Sequence, residues 1–390
     1  MKIMSEKQKQ CRRCIMDSSV PGIYFSKSGI CNFCDAQNYL DKVFPNGEKG
    51  QSIINKHLVS IKKRAKNTKY DCVVGISGGR DSMYTLYMCV KVWGLKPLAV
   101  HFNDGFGNPI AGENMINGCK KLNVDLITVT SDWRESKDLK LAFLLASTPD
   151  LEQGTDIGIA TALYGIAAKE NIKTIIIGQS FRTEGIAPLS WNYLDGKYLK
   201  AVHKRFGTLP LRKWTPENPG FNLDLREILY YSLWKGIKTV PLLYFHDYVR
   251  KDADVLLENE LNWKNPGTHY FDDLYQALMT YIHRVKFNIN RRIYNYSALV
   301  RSGQMTREEA LEKSISQYQI EDPDVIRLCI KRLGISEDYF NEILNLPIKT
   351  FKDYPNHYNL IKWAKPFVFV FSKMDILPGS VYIKYFKSGC

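Results

Sequence analysis

A stretch near residue 75 joins three local patterns that constrain the fold more than any other part of the sequence. Residues 71–76 (DCVVGI) form a β-rich run, residues 77–82 (SGGRDS) contain two adjacent glycines, and apolar residues at helical spacing follow. A strand, a glycine turn and a helix N-terminus in succession create an anion site, because free backbone N–H groups and the positive end of the helix dipole converge there. The pattern predicts a βα unit whose connecting loop binds phosphate.

The residues of this loop have separate chemical roles. Gly78 and Gly79 let the backbone approach a phosphate closely, and the hydroxyls of Ser77 and Ser82 can donate hydrogen bonds to its oxygens. Asp81 is a candidate for positioning a metal ion or water, with helix capping as its alternative role. The sequence lacks GxxxxGK[ST] and GxGxxG, which excludes the usual P-loop and argues against a dinucleotide site. A plain glycine-rich turn that binds nothing is the remaining alternative.

Short apolar runs alternate with helical patterns along the following hundred residues. Strands are predicted at 71–76, 98–102, 126–129 and 174–177, with helices at 83–93, 112–122 and 156–170. This alternation predicts an α/β fold with a parallel, doubly wound sheet. Residues 181–224 are rich in Gly, Pro, Trp and Asn without a clear period, and we interpret them as functional loops over the carboxyl edge of the sheet.

The chain is predicted to contain three parts. Four of its nine cysteines lie within residues 11–34 and mark a zinc-ribbon module at 1–54. The α/β domain occupies 55–224 and begins with an amphipathic helical pattern. Residues 225–390 are predicted to be mostly helical, with a Thr-Arg-Glu-Glu capping box at 306–309 before one helix.

The clustered cysteines form two C-x₂-C pairs, Cys11 with Cys14 and Cys31 with Cys34, separated by sixteen residues. This spacing is typical of a four-thiolate zinc site, with an iron–sulfur cluster or merely buried thiols as the alternatives. Four protein ligands leave no open coordination position. A zinc ion here is therefore expected to be structural, and the chemistry is expected elsewhere.

Charge and hydropathy limit the class of protein. Lys and Arg exceed Asp and Glu by 54 − 40 = 14, so an anionic partner such as nucleic acid, a nucleotide or an anionic membrane surface is expected. The apolar runs at 174–177 and 367–371 are strand-sized, far below the ~20 residues of a membrane span. The first ten residues lack the apolar core of a signal peptide, and the cytoplasm is the expected compartment.

The SGGRDS loop after a first strand resembles that of the PP-loop ATP pyrophosphatases, with Arg80 at the variable position. Members of that superfamily cleave ATP between the α and β phosphates and pass AMP to a carbonyl or amide oxygen. The resemblance narrows with the segments at 11–17, 29–34, 302–311 and 349–356, which are similar to N-acetyl sugar amidotransferases of surface-glycan biosynthesis, of the O-antigen, pseudaminic or legionaminic acid type. The sequence differs from that family's pattern near 265–272.

The resemblance implies a reaction and its partners. ATP with Mg²⁺ would adenylate the acetamido oxygen of a nucleotide-linked N-acetyl sugar, and ammonia would then displace AMP to give an acetamidino group. No cysteine lies in a glutaminase nucleophile turn, so ammonia must come from outside. The resemblance implies a separate glutaminase subunit of the kind that feeds imidazole glycerol phosphate synthase, with or without its cyclase-like partner.

Further site residues are expected where the other strands end, because ligands of a doubly wound sheet lie at the carboxyl ends of its strands. Asp104 follows the second strand and is a candidate for contacting adenine or ribose. Gly178 and Gln179 follow the strand at 174–177, and Glu184 lies in the next loop. His269, in a Pro-Gly turn, is a candidate acid or base or a ligand of the sugar diphosphate, with a structural role as its alternative.

A basic run with interleaved aromatic residues lies in the helical region: Arg284, Lys286, Arg291 and Arg292. It is either a solvated helix face or a site for the nucleotide diphosphate of the sugar.

Rival hypotheses remain open at the level of sequence. A PP-loop enzyme that modifies tRNA, by thiolation or lysidine formation, would also adenylate a base carbonyl and would explain the net charge. Thiolation usually needs paired reactive cysteines near the ATP site, and Cys72, Cys89 and Cys119 form no C-x₂-C pair. A zinc-ribbon binding module with an inert nucleotide fold is the third hypothesis, and the intact SGGRDS loop argues against it.

Overall fold

A computed structural model of the chain describes residues 9–212, 223–266, 272–373, 382, 385 and 386. Its centre is a five-stranded sheet in the order β3-β2-β1-β4-β5. The strands are β1 (Cys72–Gly75), β2 (Pro97–Asn103), β3 (Leu126–Thr130), β4 (Thr174–Ile176) and β5 (Lys238–Val240). All neighbouring strands are parallel, and the strand order reverses between β1 and β4. The predicted doubly wound α/β fold is confirmed.

Helices surround the sheet and build most of the second half of the chain. Those before β4 are α1 (Asn32–Val43), α2 (Gly47–Arg64), α3 (Arg80–Tyr87), α4 (Pro109–Leu122), α5 (Trp133–Ala146) and α6 (Gln153–Lys169). Those after β4 are α7 (Phe181–Glu184), α8 (Gly196–Phe206), α9 (Leu225–Leu229), α10 (Arg250–Leu261), α11 (Tyr275–Val285), α12 (Arg291–Arg301), α13 (Arg307–Ile315), α14 (Pro323–Leu333), α15 (Glu337–Asn345), α16 (Tyr358–Trp363) and α17 (Lys365–Lys373). Short π-helical segments (Met88–Val92, Tyr230–Trp234) extend α3 and α9, and 3₁₀ turns span Leu242–Phe245 and Phe351–Asp353.

The sheet separates two apolar layers. Successive strand residues point to opposite faces, so Val73 and Val74 enter different clusters. Val74 belongs to the cluster that contains Met83 of α3, and Val73 belongs to the cluster that contains Ile157 of α6. The helices α3 and α6 therefore cover opposite faces, and the β1–α3 loop emerges at the carboxyl edge beside the reversal between β1 and β4.

Three features of the fold differ from the sequence-based expectations. The segment 181–224 contains α7 and α8 and is not only loops, because α8 buries Tyr198, Leu199 and Val202 along one side. The fifth strand of the sheet, β5, comes from the region predicted to be helical, and it pairs with β4 in the register Thr174↔Lys238. The apolar run at 367–371 lies in the helix α17.

The capping prediction at 306–309 is confirmed in part. Thr306 precedes α13, and its Oγ1 accepts a hydrogen bond of 3.1 Å from the Glu309 backbone N–H. The Glu309 carboxylate pairs with Lys313 at 2.7 Å.

Within the described ranges, no helix combines the length and the apolar character that a membrane span requires.

Candidate functional site

The loop between β1 and α3 has a glycine-specific backbone conformation that surrounding elements hold in place. Gly78 has a φ of +81°, and a Cβ built on it would lie 2.0 Å from the backbone oxygen of Ala111 in α4. The Gly78 carbonyl accepts hydrogen bonds from Trp263 Nε1 (2.9 Å) and Asn114 Nδ2 (3.1 Å). Only glycine fits this position without moving α4. The loop geometry is therefore fixed by residues distant in sequence.

Two hydroxyls converge at the N-terminus of α3. Ser77 Oγ lies 3.2 Å from Ser82 Oγ, and the Gly79 backbone N–H donates to Ser77 Oγ at 3.4 Å. Gly79 precedes the helix and offers no side-chain cap. The first N–H groups of a helix have no partner within that helix, so the hydroxyls and these amides form a concave donor surface. This geometry suits the oxygens of a phosphate.

Asp272 lies at the mouth of the phosphate loop. Its Oδ2 would be 3.2 Å from a Cβ on Gly79, and its carboxylate accepts a hydrogen bond from the Ser77 side chain. Burial raises the pKa of Asp272 to about 6, with a further contribution from the charge of Glu152. A carboxylate at this place either shares a cation with a bound phosphate or moves away from it. Sequence reasoning noted the segment 265–272 without selecting Asp272.

Two predicted residues form a carboxyl pair near the loop, in which Asp81 is buried and Glu184 is half-buried. Asp81 is 6% exposed, and it accepts hydrogen bonds from the hydroxyls of Tyr248 and Thr183 (3.5 Å for Thr183). Glu184 hydrogen-bonds to Asp81, and burial followed by the charge of Asp81 raises the pKa of Glu184 well above its usual range. Two carboxyl groups so placed share a proton or a cation, because both cannot remain charged alone.

The remaining residues near the loop have structural contacts. Arg80 forms a bidentate ion pair with Asp254 of α10, with Nη2 at 2.8 Å from Oδ2, so its guanidinium is occupied by protein. Gly178 packs against α3, since a Cβ on it would lie 3.0 Å from the Asp81 carbonyl oxygen. Gln179 is exposed. The predicted nucleotide contacts of Arg80, Gly178 and Gln179 stay predictions.

Asp104 is buried between α5 and α6. One of its oxygens lies 2.8 Å from Lys140 Nζ and 2.7 Å from Thr155 Oγ1, and the other accepts from the Phe106 backbone N–H at 3.0 Å. Burial acts to raise the pKa of Asp104, but the charge of Lys140 and the hydrogen bonds from Lys140, Thr155 and the Phe106 backbone together hold this pKa below its usual range. Both oxygens have protein partners, so Asp104 holds β2 against these helices, and its predicted contact with adenine or ribose stays a prediction.

Several cations of the basic run have partners within the protein. Arg284 pairs with Glu321 at 2.6 Å, Lys286 donates to the Ile343 carbonyl, and Arg292 donates to the Ser316 carbonyl at 2.6 Å. Three of the four cations thus have protein partners, and the hypothesis of a joint diphosphate site stays a prediction. Arg291 Nη1 donates to Gln276 Oε1 at 2.8 Å. His269 lies outside the described residues.

The four clustered cysteines are buried, and their sulfur atoms lie within 4.8 Å of one another. The distances are 3.8 Å for Cys11 to Cys34, 3.7 Å for Cys14 to Cys31 and 3.6 Å for Cys31 to Cys34. A tetrahedron with Zn–S bonds of about 2.3 Å has edges of about 3.8 Å, so the donor set fits a zinc ion. All four positions are thiol sulfurs, which is the composition of a structural centre.

This cysteine centre is docked on the C-terminal helices. Arg307 of α13 donates to the carbonyls of Cys11 (3.1 Å) and Cys14 (3.3 Å). The four cysteines share an apolar cluster with Trp191, Ile289 and Tyr294. A metal ion here would therefore stabilise the interface between the N-terminal module and α12.

Part of the chain matches a known protein family. Residues 266–365 match the family described as "LPS biosynthesis protein WbpG-like, C-terminal domain". The matched segment contains Asp272 and the helices α11 to α16. This part of the chain is similar to that domain.

Matches that span most of the chain have low sequence identity. The uncharacterized protein MJ1599 of Methanocaldococcus jannaschii is 23% identical over 329 residues, 84% of this chain and 99% of that protein. The NH3-dependent NAD synthetase of Campylobacter jejuni is 16% identical, over 77% of this chain and 98% of that one, with a TM-score of 0.29. The U34-tRNA thiolase NcsA of Methanococcus maripaludis, with its [4Fe-4S] cluster, is 15% identical, over 85% and 100%, with a TM-score of 0.31. Scores this low leave the reaction undefined.

Proposed function

We propose that this protein is an ATP-dependent N-acetyl sugar amidotransferase of lipopolysaccharide or related surface-glycan biosynthesis. One observation carries the proposal: Asp272, in the segment similar to the WbpG-like domain, hydrogen-bonds to Ser77 of the phosphate loop. A segment resembling a glycan-biosynthesis domain therefore meets an ATP-type loop at the reversal of the strand order. This is where ligands of doubly wound sheets bind.

The reaction proceeds in two steps. The acetamido oxygen attacks the α-phosphorus of ATP, the bond to the β-phosphate breaks, and pyrophosphate leaves with that electron pair. Ammonia then adds to the carbon of the adenylated imidate, and AMP departs with the former amide oxygen. The products are an acetamidino sugar, AMP and pyrophosphate, which balances the atoms of ATP, amide and ammonia.

The chain's own residues serve the first step by stabilising charge. Ser77, Ser82 and the first amides of α3 donate hydrogen bonds toward the leaving pyrophosphate, where negative charge accumulates. The carboxylates of Asp81, Glu184 and Asp272 are the residues that would hold Mg²⁺. When bound, Mg²⁺ offsets the charge of the phosphate oxygens.

The experiment uses a nucleotide-linked 2-acetamido sugar with ATP, Mg²⁺ and ammonium. Mass spectrometry should show exchange of an oxygen for NH in the sugar, and chromatography should show AMP and pyrophosphate. Ser77→Ala should lower turnover ~10²-fold, the usual scale for one lost preorganised donor. Ser336→Ala, which removes only the N-cap of α15, is the matched control and should leave turnover unchanged. ADP as the main product would refute the proposal.

Ammonia supply is part of the same proposal. We expect the isolated chain to use ammonium and to fail with glutamine, with turnover rising with pH as neutral ammonia becomes available. Addition of a glutaminase subunit should confer glutamine dependence near neutral pH. Glutamine-driven turnover by this chain alone would contradict the proposed partner.

The net charge of +14 keeps tRNA modification as a second candidate. Among the described residues, Cys72, Cys89, Cys119 and Cys329 are buried, which disfavours thiolation because that chemistry needs an accessible thiolate. Pyrophosphate release stimulated by unmodified tRNA, and not by the sugar nucleotide, would favour this candidate.

A further inference from the structure

A row of large apolar side chains, the apolar stripe, runs along the helices α16 and α17. Its members recur every three or four residues: Leu360, Trp363, Phe367 and Val370. The two helices are nearly continuous, because the Ala364 N–H donates to the Leu360 carbonyl at 2.9 Å and the Val368 N–H donates to the Ala364 carbonyl at 3.0 Å. Residues at this spacing share one side of a continuous helix, so the four side chains form a single row.

The apolar stripe is exposed to solvent. Trp363 is 79% exposed and Phe367 is 60% exposed, and the values for Leu360 and Val370 are 50% and 48%. The exposed parts of the two aromatic side chains alone amount to on the order of 300 Å². Single exposed apolar residues are common on soluble proteins, whereas a contiguous apolar patch of this size marks an interaction surface.

Residues near the C-terminus pack on a different side of these helices. The ring centroid of Tyr382 lies 5.1 Å from that of Phe369, and Lys365 Nζ lies 5.5 Å from the centroid of the Phe386 ring. Lys365 and Phe369 are four residues apart, and neither belongs to the apolar stripe. The part of the C-terminal end that the structure describes therefore fixes these helices on the protein from another side.

The charge of this region is positive. Residues 349–373 contain five lysines and a single acidic residue, Asp353. Within α16 and α17, lysine is the only charged residue type, at positions 362, 365 and 373. The whole chain carries a net charge of +14. A partner of the apolar stripe is therefore expected to be anionic.

Apolar exposure and positive charge together indicate an anionic bilayer surface. Helices that lie in such a surface present Trp, Phe and Leu on one side and carry lysine or arginine on the other. Tryptophan is favoured at the boundary between membrane and water. Lysine side chains extend their methylene groups along apolar surface and bring the ammonium group to the headgroups.

Two other partners fit the apolar stripe less well. Two copies of the chain would each carry the same positive charge and repel one another, and the exposed stripe is smaller than the ~800 Å² that each partner of a stable interface buries. A nucleic acid would match the charge, but its bases stack on aromatic rings, which leaves no role for the aliphatic side chains of Leu360 and Val370.

We propose that the apolar stripe docks this protein on an anionic phospholipid surface. The helices α16 and α17 lie along the surface, the side chains of the stripe enter the boundary between headgroups and acyl chains, and the lysines of both helices attract the anionic headgroups. No residue of the stripe belongs to the phosphate loop or to the carboxyl groups around it. The docking surface is thus independent of the proposed reaction.

Sedimentation with vesicles tests the docking surface. Vesicles of equal parts phosphatidylcholine and phosphatidylglycerol should bind the wild type, and vesicles of phosphatidylcholine alone should bind it more weakly. Trp363→Ser combined with Phe367→Ser should lower the partition coefficient ~10²-fold, since each aromatic side chain taken out of water contributes roughly tenfold. Trp234→Ser combined with Ile315→Ser is the matched control, because these two apolar side chains are also highly exposed and lie outside the stripe. The control should bind like the wild type.

Substitution of lysines tests the electrostatic part. Lys362→Gln combined with Lys365→Gln should lower binding to the anionic vesicles about 10-fold and leave binding to phosphatidylcholine unchanged. Added salt should weaken binding in the same way, because it screens the attraction. Lys66→Gln combined with Lys120→Gln, at two exposed positions outside α16 and α17, removes the same charge and should bind like the wild type.

Tryptophan quenching locates the contact. Brominated phosphatidylcholine in the vesicles quenches tryptophan side chains that enter the bilayer surface. Trp363→Phe keeps an aromatic side chain in the stripe, so it should still bind the vesicles and should lose most of the quenching. Exposed positions tolerate substitution, so the thermal midpoint of this variant should equal that of the wild type.

Several results would overturn the proposal. Wild type that does not bind the anionic vesicles is one, and equal binding by wild type and the Trp363→Ser, Phe367→Ser variant is another. Unchanged quenching in Trp363→Phe would place the contact elsewhere on the molecule. A dimer, or a complex with tRNA, that forms without vesicle binding and is lost in the Trp363→Ser, Phe367→Ser variant would assign the stripe to that partner instead.

Discussion

Replacing Gly78 by alanine should damage both the fold and the phosphate loop. At φ +81° an L-residue costs about 1–2 kcal/mol more than glycine. The new Cβ would also lie 2.0 Å from the Ala111 backbone oxygen, and a backbone atom of α4 cannot swing aside as a side chain can. Overpacking of this kind costs about 1–3 kcal/mol. The free energy of unfolding should therefore fall by about 2–5 kcal/mol.

Two neighbouring glycines provide the comparison. Gly79→Ala places its Cβ 3.2 Å from Asp272 Oδ2 and 3.4 Å from Ser77 Oγ, and its φ of −73° suits any residue. Its stability should change by only about 0.5 kcal/mol, while the methyl group at the loop mouth should lower ATP turnover ~10²-fold. Gly112→Ala, inside α4 with nothing within 4 Å, should gain about 0.5–1 kcal/mol and keep full turnover.

Urea unfolding followed by tryptophan fluorescence measures the stabilities, and calorimetry with ATP and Mg²⁺ measures binding. From the most to the least stable, the expected order is Gly112→Ala, Gly79→Ala, Gly78→Ala. Of these three variants, only Gly112→Ala should bind ATP normally. Gly78→Ala as stable as Gly112→Ala would refute the steric reasoning. Normal ATP affinity in Gly79→Ala would show that phosphate does not approach the loop at that point.

Three further predictions address the charged groups and the metal centre. Burial raises the pKa of Asp272 from 3.8 to about 6, so the stability that its protonated form contributes is present below about pH 4 and is lost as pH rises through 6. In urea unfolding, Asp272→Asn should therefore gain stability relative to wild type across that interval. A stability difference that does not change with pH would contradict this. Cys31→Ser should lower zinc content, by elemental analysis, together with the thermal midpoint, and a fully stable zinc-free protein would exclude a structural metal. Arg80→Met should destabilise the fold by about 1–3 kcal/mol, and the added change Asp254→Leu should restore most of this loss with normal ATP affinity; persistent loss of ATP affinity in the double variant would return Arg80 to phosphate binding.

Several features were predictable because their information is local in sequence. The β-branched run before SGGRDS predicted β1, the loop and α3, since a strand, its turn and the next helix are covalently adjacent. The spacing of Cys11, Cys14, Cys31 and Cys34 predicted a joint thiol cluster, which the sulfur distances bear out. The alternation of strands and helices was sufficient for a parallel sheet.

The local sequence pattern was less informative where an element was short or where its pairing partner was remote in the sequence. The three-residue strand β5 is too short to show alternation, and only its pairing with β4 defines it. In α8 the buried residues Tyr198, Leu199 and Val202 do have helical spacing, but the surrounding Gly, Pro and Trp residues masked it.

The candidate site was decided mainly by tertiary contacts. The hydrogen bonds from Tyr248 to Asp81 and from Ser77 to Asp272 join residues that are distant along the chain. Sequence spacing specifies which residues share a turn or a strand face. It does not specify which remote side chains the packed helices bring together, because that depends on the layer arrangement of the whole chain. The phosphate loop and the thiol cluster were thus predictable from the sequence, whereas the grouping of carboxyl side chains around the loop was decided by the tertiary structure.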